Sequence, residues 1–210
     1  MPFNPPRRPC RVNDCTQVAQ AVSRFCPKHL KAFTRHGHEE GRAIRTFELR
    51  PYRALAANLL KRFGDRRDVQ AALLWLSKML DKAPEDAAGV ELQRLKSQGV
   101  TPEEMFRAAL AIWTFGRERP RALPDDARLT YALGRAIVRL RRRRRVFART
   151  SLRLQTFNVP PRAFAYVGLR IRECLPVLFE RLIALDEAEH QEEAALRRLI
   201  REGDERVASR

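Results

Sequence analysis

Residues 10–29 read CRVNDCTQVAQAVSRFCPKH, and they decide how the amino-terminal part of this chain is organised. Cys10, Cys15, Cys26 and His29 give the spacing C-x4-C-x10-C-x2-H, so three of the four cysteines of the protein fall within twenty residues. Tetrahedral zinc takes four sulfur or nitrogen ligands, usually supplied as two close pairs. The four residues between Cys10 and Cys15 allow a turn through Asn13 and Asp14, residue types suited to it. Pro27 suits the first position of a helix. That helix places Cys26 and His29 three apart on one face. Val18, Val22 and Phe25, between the pairs, are expected to form a small hairpin over the metal.

The competing reading makes Cys10 and Cys15 incidental and His29 a surface residue. A segment this short has little else to fold around, which favours the metal. His36 and His38 are the rival fourth ligands, but they lie at or beyond the expected helix end at Gly37. A catalytic zinc needs an open position and a nearby base. Glu39 and Glu40 are the close acids after the cluster, and nothing pairs them with it. A structural Zn2+ is the expected cofactor.

Outward from the cluster, charge is the next signal. The 210 residues carry 42 Lys+Arg and 25 Asp+Glu, a formal net charge of +17. Residues 1–63 hold net +9, residues 64–130 net 0, residues 131–172 net +12 with no acid, and residues 173–210 net −4. Two segregated basic blocks point to a polyanion, with nucleic acid the first candidate. Arg7, Arg8, Arg11, Arg24, Lys28, Lys31, Arg35, Arg42 and Arg45 surround the ligands, more cations than a net −1 zinc site needs. Lys28, Lys31 and Arg35, on the helix after Cys26, are candidate phosphate contacts.

The pattern Cys10-x4-Cys15, Cys26-x2-His29 and Arg35-His36-Gly37 resembles a short zinc-binding module of small phage and mobile-element proteins. The resemblance covers about residues 8–45. It implies a non-catalytic, DNA-associated Cys3His finger.

From Thr46 onward the periodicity is helical. One run passes through Leu49, Tyr52, Leu55, Leu59 and Leu60 to Gly64, with Pro51 fitting only a first turn. Asp65 is expected to cap a second, carrying Val69, Leu73, Leu76 and Leu80. A weaker helix over 85–98 stops at Gly99. Thr101-Pro102-Glu103-Glu104 is a strong start, a capping box with Pro at the first position. Asp125 or Asp126 begins a helix expected to run to about 149. Phe164, Val167, Ile171, Cys174, Leu178, Leu182 and Leu185 recur at three and four, with Pro176 expected to kink or divide the stripe and Cys174 to pack in it. The fold class read from this is mainly α: a zinc finger over 1–45, an all-α domain over 46–186 containing a basic helix 126–149, and a charged segment over 187–210.

Along 126–149, Leu129, Leu133, Ile137, Leu140 and Phe147 form an apolar stripe. Arg135, Arg139, Arg142 and Arg149 line another face. Arg141, Arg142, Arg143, Arg144 and Arg145 then make every side basic. Adjacent guanidinium groups repel, and a polyanion relieves that repulsion while releasing counterions. The internal alternative is pairing with Glu187, Glu189, Glu192 and Glu193.

Four cysteines in this length exclude a disulfide scaffold, and close Cys spacing fits a reducing compartment. No apolar run is long enough to span a membrane. The start MPFNPPRR has no apolar segment, so no secretory leader is expected; the expected location is cytoplasmic, with nucleoid association. No phosphate-binding glycine loop, dinucleotide fingerprint or serine-nucleophile motif is present. The expected function is zinc-dependent nucleic-acid binding, DNA before RNA, in a bacterial or phage setting. Two other classes stay open: a protein–protein adaptor using the Phe164–Leu185 stripe, and a zinc hydrolase or nuclease with an open zinc position.

Overall fold

The computed structural model describes residues 8–20, 22–82, 86–140, 145–148, 151–154 and 159–208; side chains are described as far as 194, and those of the two strands are not. The chain is mainly helical. A small Cys/His knuckle leads into α1 (Pro27–His36), followed by α2 (Thr46–Phe63), α3 (Arg67–Asp81), α4 (Ala87–Ser97), α5 (Pro102–Glu118) and α6 (Asp126–Val138). A short ribbon, β1 (Arg145–Ala148) and β2 (Ser151–Leu154), precedes α7 (Pro161–Cys174) and α8 (Pro176–Ala208).

Local chemistry sets most of the helix ends. Thr101 and Glu104 form the reciprocal cap of α5: the Thr101 hydroxyl accepts from Glu104 N–H at 3.3 Å, and the Glu104 carboxylate accepts from Thr101 N–H at 3.0 Å. Asp86 caps α4 by accepting from Ala88 and Gly89 N–H at 2.8 and 2.9 Å. Asp125 does the same for α6 through Arg128 N–H at 2.7 Å. Each such cap satisfies donors that the first helical turn leaves orphaned. Asp65 is not a cap, because α3 begins two residues later, after Arg66. Pro51 lies inside α2, beyond its first turn.

The core is a single cluster in which α5 is central. Met105, Phe106, Ala109 and Leu110 are fully buried against neighbours on α2, α3 and α6. Phe106 and Phe179 meet edge to face at 5.3 Å, which brings α8 onto α5. Helices α6 and α7 cross in close contact. A Cβ on Gly134 would lie 1.8 Å from the Phe164 carbonyl oxygen, and one on Gly168 would lie 1.7 Å from that of Thr130. Backbone therefore meets backbone there, and no larger residue fits at either position.

Other sequence expectations change as well. The helix expected over 126–149 ends at Val138, and Arg145–Ala148 instead pairs antiparallel with Ser151–Leu154, Val146 opposite Arg153. Five consecutive like charges oppose helix continuation, and Val and Phe suit a strand. The stripe Phe164–Leu185 is divided at Pro176, and the break changes its register. Leu175 and Phe179 take buried positions while Cys174 is exposed, so Cys174 does not pack in the core. Helix α8 continues unbroken through the boundary placed at 186, with Arg62 of α2 paired to its Asp186 and Glu189. No helix among the described residues is long and apolar enough to cross a membrane.

Candidate metal centre and basic seam

The knuckle is built from two short backbone pairings. Pro9 bridges Val18, with Cys10 N–H donating to Gln17 O at 3.0 Å and Ala19 N–H to Arg8 O at 2.9 Å. Cys15 N–H closes on Val12 O at 3.2 Å around Asp14, whose φ of 61° is the left-handed conformation that Asp and Asn tolerate. This turn brings the first two thiols together. Cys26 is the residue before α1, Pro27 is its first helical residue, and Leu30 N–H donates to Cys26 O at 2.8 Å. His29 therefore rises one turn above Cys26.

One donor atom from each of Cys10, Cys15, Cys26 and His29 lies within 4.8 Å of every other, and among the described residues no other such group occurs. Cys15 Sγ and Cys26 Sγ are 3.9 Å apart, and His29 Nδ1 is 3.4 Å from both Cys10 Sγ and Cys26 Sγ. A zinc tetrahedron with ordinary bond lengths has edges of about 3.8 Å between sulfurs and about 3.5 Å between sulfur and nitrogen. Those three separations match tetrahedral edge lengths, and the group could hold a metal ion such as zinc. All three thiols are free; Cys10 and Cys26 are buried, Cys15 and His29 half-buried.

The surroundings favour thiolate at Cys10. Burial alone would raise its pKa, but backbone donation from Cys26 and Val12, with His29 beside it, brings it down to about 6. Cys26 N–H reaches Cys10 Sγ at 3.4 Å. Cys15 moves the other way: donation at Gln17 lowers it, but burial and the neighbouring Cys10 and Cys26 sulfurs raise it on balance. A metal supplies the positive charge that three adjacent sulfurs need. The hairpin cover is not as expected, because Val22 is fully exposed and Val18 half-exposed. Phe25 instead stacks on Phe33 of α1, with ring centroids 5.3 Å apart.

His36 and His38 stand outside this group. They join the finger to the helical body. Arg135 donates to His36 Nδ1 at 2.7 Å, and Arg128 donates to the His38 ring, with Nδ1 at 2.7 Å. Gly37, at φ 75°, packs directly against Tyr131, and the Tyr131 hydroxyl donates to Thr34 O at 2.8 Å. Glu40 stands 3.9 Å from Arg128, and Glu39 3.8 Å from His38, so both acids belong to this seam rather than to the sulfur cluster.

The seam also gathers charge. Burial first, then Arg135, Arg35 and Arg139, hold His36 at about 4, so it is neutral and accepts from Arg135. Burial and the nearby Arg139 bring Arg135 itself down to about 10. The charges of Arg35 in the finger, of Arg135 on α6 and of Arg139 just past its end thus all act on one histidine. Lys28, Lys31 and Arg35 are all exposed on α1, spaced to share a face. Arg135 is half-buried and engaged with His36, a role its place in an arginine stripe did not reveal. Arg141, Arg142, Arg143, Arg144 and Arg149 lie outside the described residues, and of Arg145 only the strand backbone is described.

Sequence reasoning missed Tyr131, Gly134 and Gly168. A glycine inside a helix costs stability relative to alanine, so Gly134 and Gly168 could have been read as close-approach positions. Tyr131 carried no signal. The stripe proposed for a partner is largely spent internally, with Phe164, Val167, Ile171 and Leu182 in the core. Compared with known proteins, the chain matches no family model, and no curated protein or solved structure is significantly similar to it.

Proposed function

We propose that this chain is a nucleic-acid-binding protein, with DNA the preferred partner, in which a structural zinc finger orients a basic surface shared with the helical body. The observation that carries the reading is the run of exposed Lys28, Lys31 and Arg35 along one face of α1, whose end is tied to α6 by the Arg135–His36 hydrogen bond at 2.7 Å. That bond joins the basic face of α1 to the helix that precedes Arg141–Arg145 in the chain. Zinc is assigned on the sulfur-rich donor set and its tetrahedral spacing. Four protein donors fill a tetrahedron, leaving no position for a reactive water, which favours a structural role over hydrolysis. The zinc would hold α1 at a fixed angle; phosphate contacts would come from the arginines and lysines. Contacts of this kind give affinity without sequence readout.

Fluorescence anisotropy of a labelled duplex across a salt series tests this. Binding should weaken steeply with salt. Replacing Arg141–Arg145 by Ala should flatten the log–log slope by up to about 4.5, at roughly 0.9 for each phosphate no longer neutralised. Replacing Lys28, Lys31 and Arg35 by Ala should flatten it by about 2–3. A slope unchanged in both variants overturns the proposal.

A further inference from the structure

A cleft of about 570 Å³ opens between the finger-to-α2 connection, α2, α5 and α6. Its volume falls in the range of small-molecule sites, about 300–1,000 Å³. Six arginines line it, Arg42, Arg53, Arg107, Arg128, Arg135 and Arg139, against one carboxylate, Glu104. Some of that charge is already met. Arg42 forms a two-pronged pair with Glu48 at 2.8 and 2.9 Å, and Arg128 lies 3.2 Å from Asp125. Glu104 is committed to the α5 cap. Among the described residues no carboxylate stands within ion-pair distance of Arg53, Arg107 or Arg135. Arg107 donates to the Glu103 carbonyl at 3.3 Å, and Arg135 to a neutral ring.

Much of the rest of the lining is aliphatic: Leu49, Ala108, Ala111, Ile112 and Leu140 furnish an apolar wall. Of the two aromatic rings there, Tyr131 is buried and His36 accepts from Arg135. Arg53 and Arg107 are exposed at the cleft and Arg135 is half-buried; cations with no acid beside an aliphatic wall favour a ligand that brings a negative head and an apolar body together.

We infer that this cleft binds a small amphiphilic anion, a phosphate or carboxylate head on an aliphatic chain, with the head at Arg53, Arg107 and Arg135 and the chain along Ala108 and Ile112. This does not depend on nucleic-acid binding, and it is tested with no nucleic acid present. Octyl phosphate, kept below its micelle concentration, is titrated into the full metal-loaded chain by calorimetry. One saturable site is expected, with inorganic phosphate and octanol each at least about tenfold weaker. The double variant Arg53→Gln/Arg107→Gln should weaken octyl phosphate at least about tenfold. Ala108→Phe, which fills the wall, should abolish the single site. Vesicles containing phosphatidic acid separate the two sources of such a ligand. Binding to octyl phosphate alone identifies a soluble anion, and binding to both identifies a lipid headgroup. Binding to vesicles alone, equal affinity for head, tail and whole probe, or an unchanged affinity in the Arg53→Gln/Arg107→Gln protein overturns the inference.

Discussion

Gly37→Ala is the sharpest perturbation of the seam between finger and helical body. Gly37 adopts φ 75°, which costs an L-residue about 1–2 kcal/mol. An added Cβ would also lie 2.4 Å from Cγ of Tyr131, well inside ordinary contact. The ring has little room to yield, since its hydroxyl is bonded to Thr34 O at 2.8 Å and its edge packs on Phe164 at 5.3 Å. Relieving the clash forfeits that hydrogen bond, about 1 kcal/mol, and part of the docking surface. The total should be about 2–4 kcal/mol, adding those costs. Gly99 supplies the control: its φ is 69°, and nothing lies within 4 Å of an added Cβ. Gly99→Ala should therefore show the conformational cost alone, about 1–2 kcal/mol. Amide hydrogen exchange in the zinc-loaded protein reads the result. Gly37→Ala should lose protection across Thr34–Gly37 and along α6 near Tyr131, while the α5 core stays protected. Equal effects of Gly37→Ala and Gly99→Ala, with the seam still protected, would refute the docking geometry.

Three further outcomes follow from the same structure. Gly168→Ala drives a methyl to 1.7 Å from the Thr130 carbonyl oxygen, so α6 and α7 must separate; denaturant melts should show a loss of about 3 kcal/mol or more, and a loss below about 1 kcal/mol would contradict the crossing. His36, held at about 4 against its usual 6.5, gives stability that is full above about 6.5 and lost as pH falls through about 4, because the unfolded chain takes up the proton first. Discounted for its partial exposure, the effect should be about 1–2 kcal/mol, and identical acid profiles for wild type and His36→Asn would reject it. Zinc removal by a chelator, or Cys26→Ser, should abolish one equivalent of bound metal by mass spectrometry and unfold the knuckle while α2–α8 stay helical by circular dichroism; full metal content in Cys26→Ser would remove Cys26 from the ligand set.

What a reader of the chain alone could recover was local. The clustered Cys10, Cys15, Cys26 and His29, the caps Thr101 and Asp125, and the stops at Gly37, Gly64 and Gly99 depend on spacing and on side chains acting within a few residues. These were legible because covalent connectivity already brings the partners close. The failures share a cause as well. The apolar stripe ran on past Pro176 in sequence, yet the break rotated Cys174 to solvent and Leu175 inward. The arginine stripe looked uniform, yet Arg135 faced a histidine ninety-nine residues away.

Residue order alone dictates that a Cys3His cluster precedes a mainly helical chain with two basic blocks. Packing in three dimensions is what rests the finger on α6 through Gly37 and Tyr131, makes His36 and His38 acceptors for Arg135 and Arg128, and brings α6 and α7 together at Gly134 and Gly168. Periodicity reports which side of a helix is apolar, but not which helix faces it. That choice is made by shape, where one added carbon at a crossing is enough to forbid it.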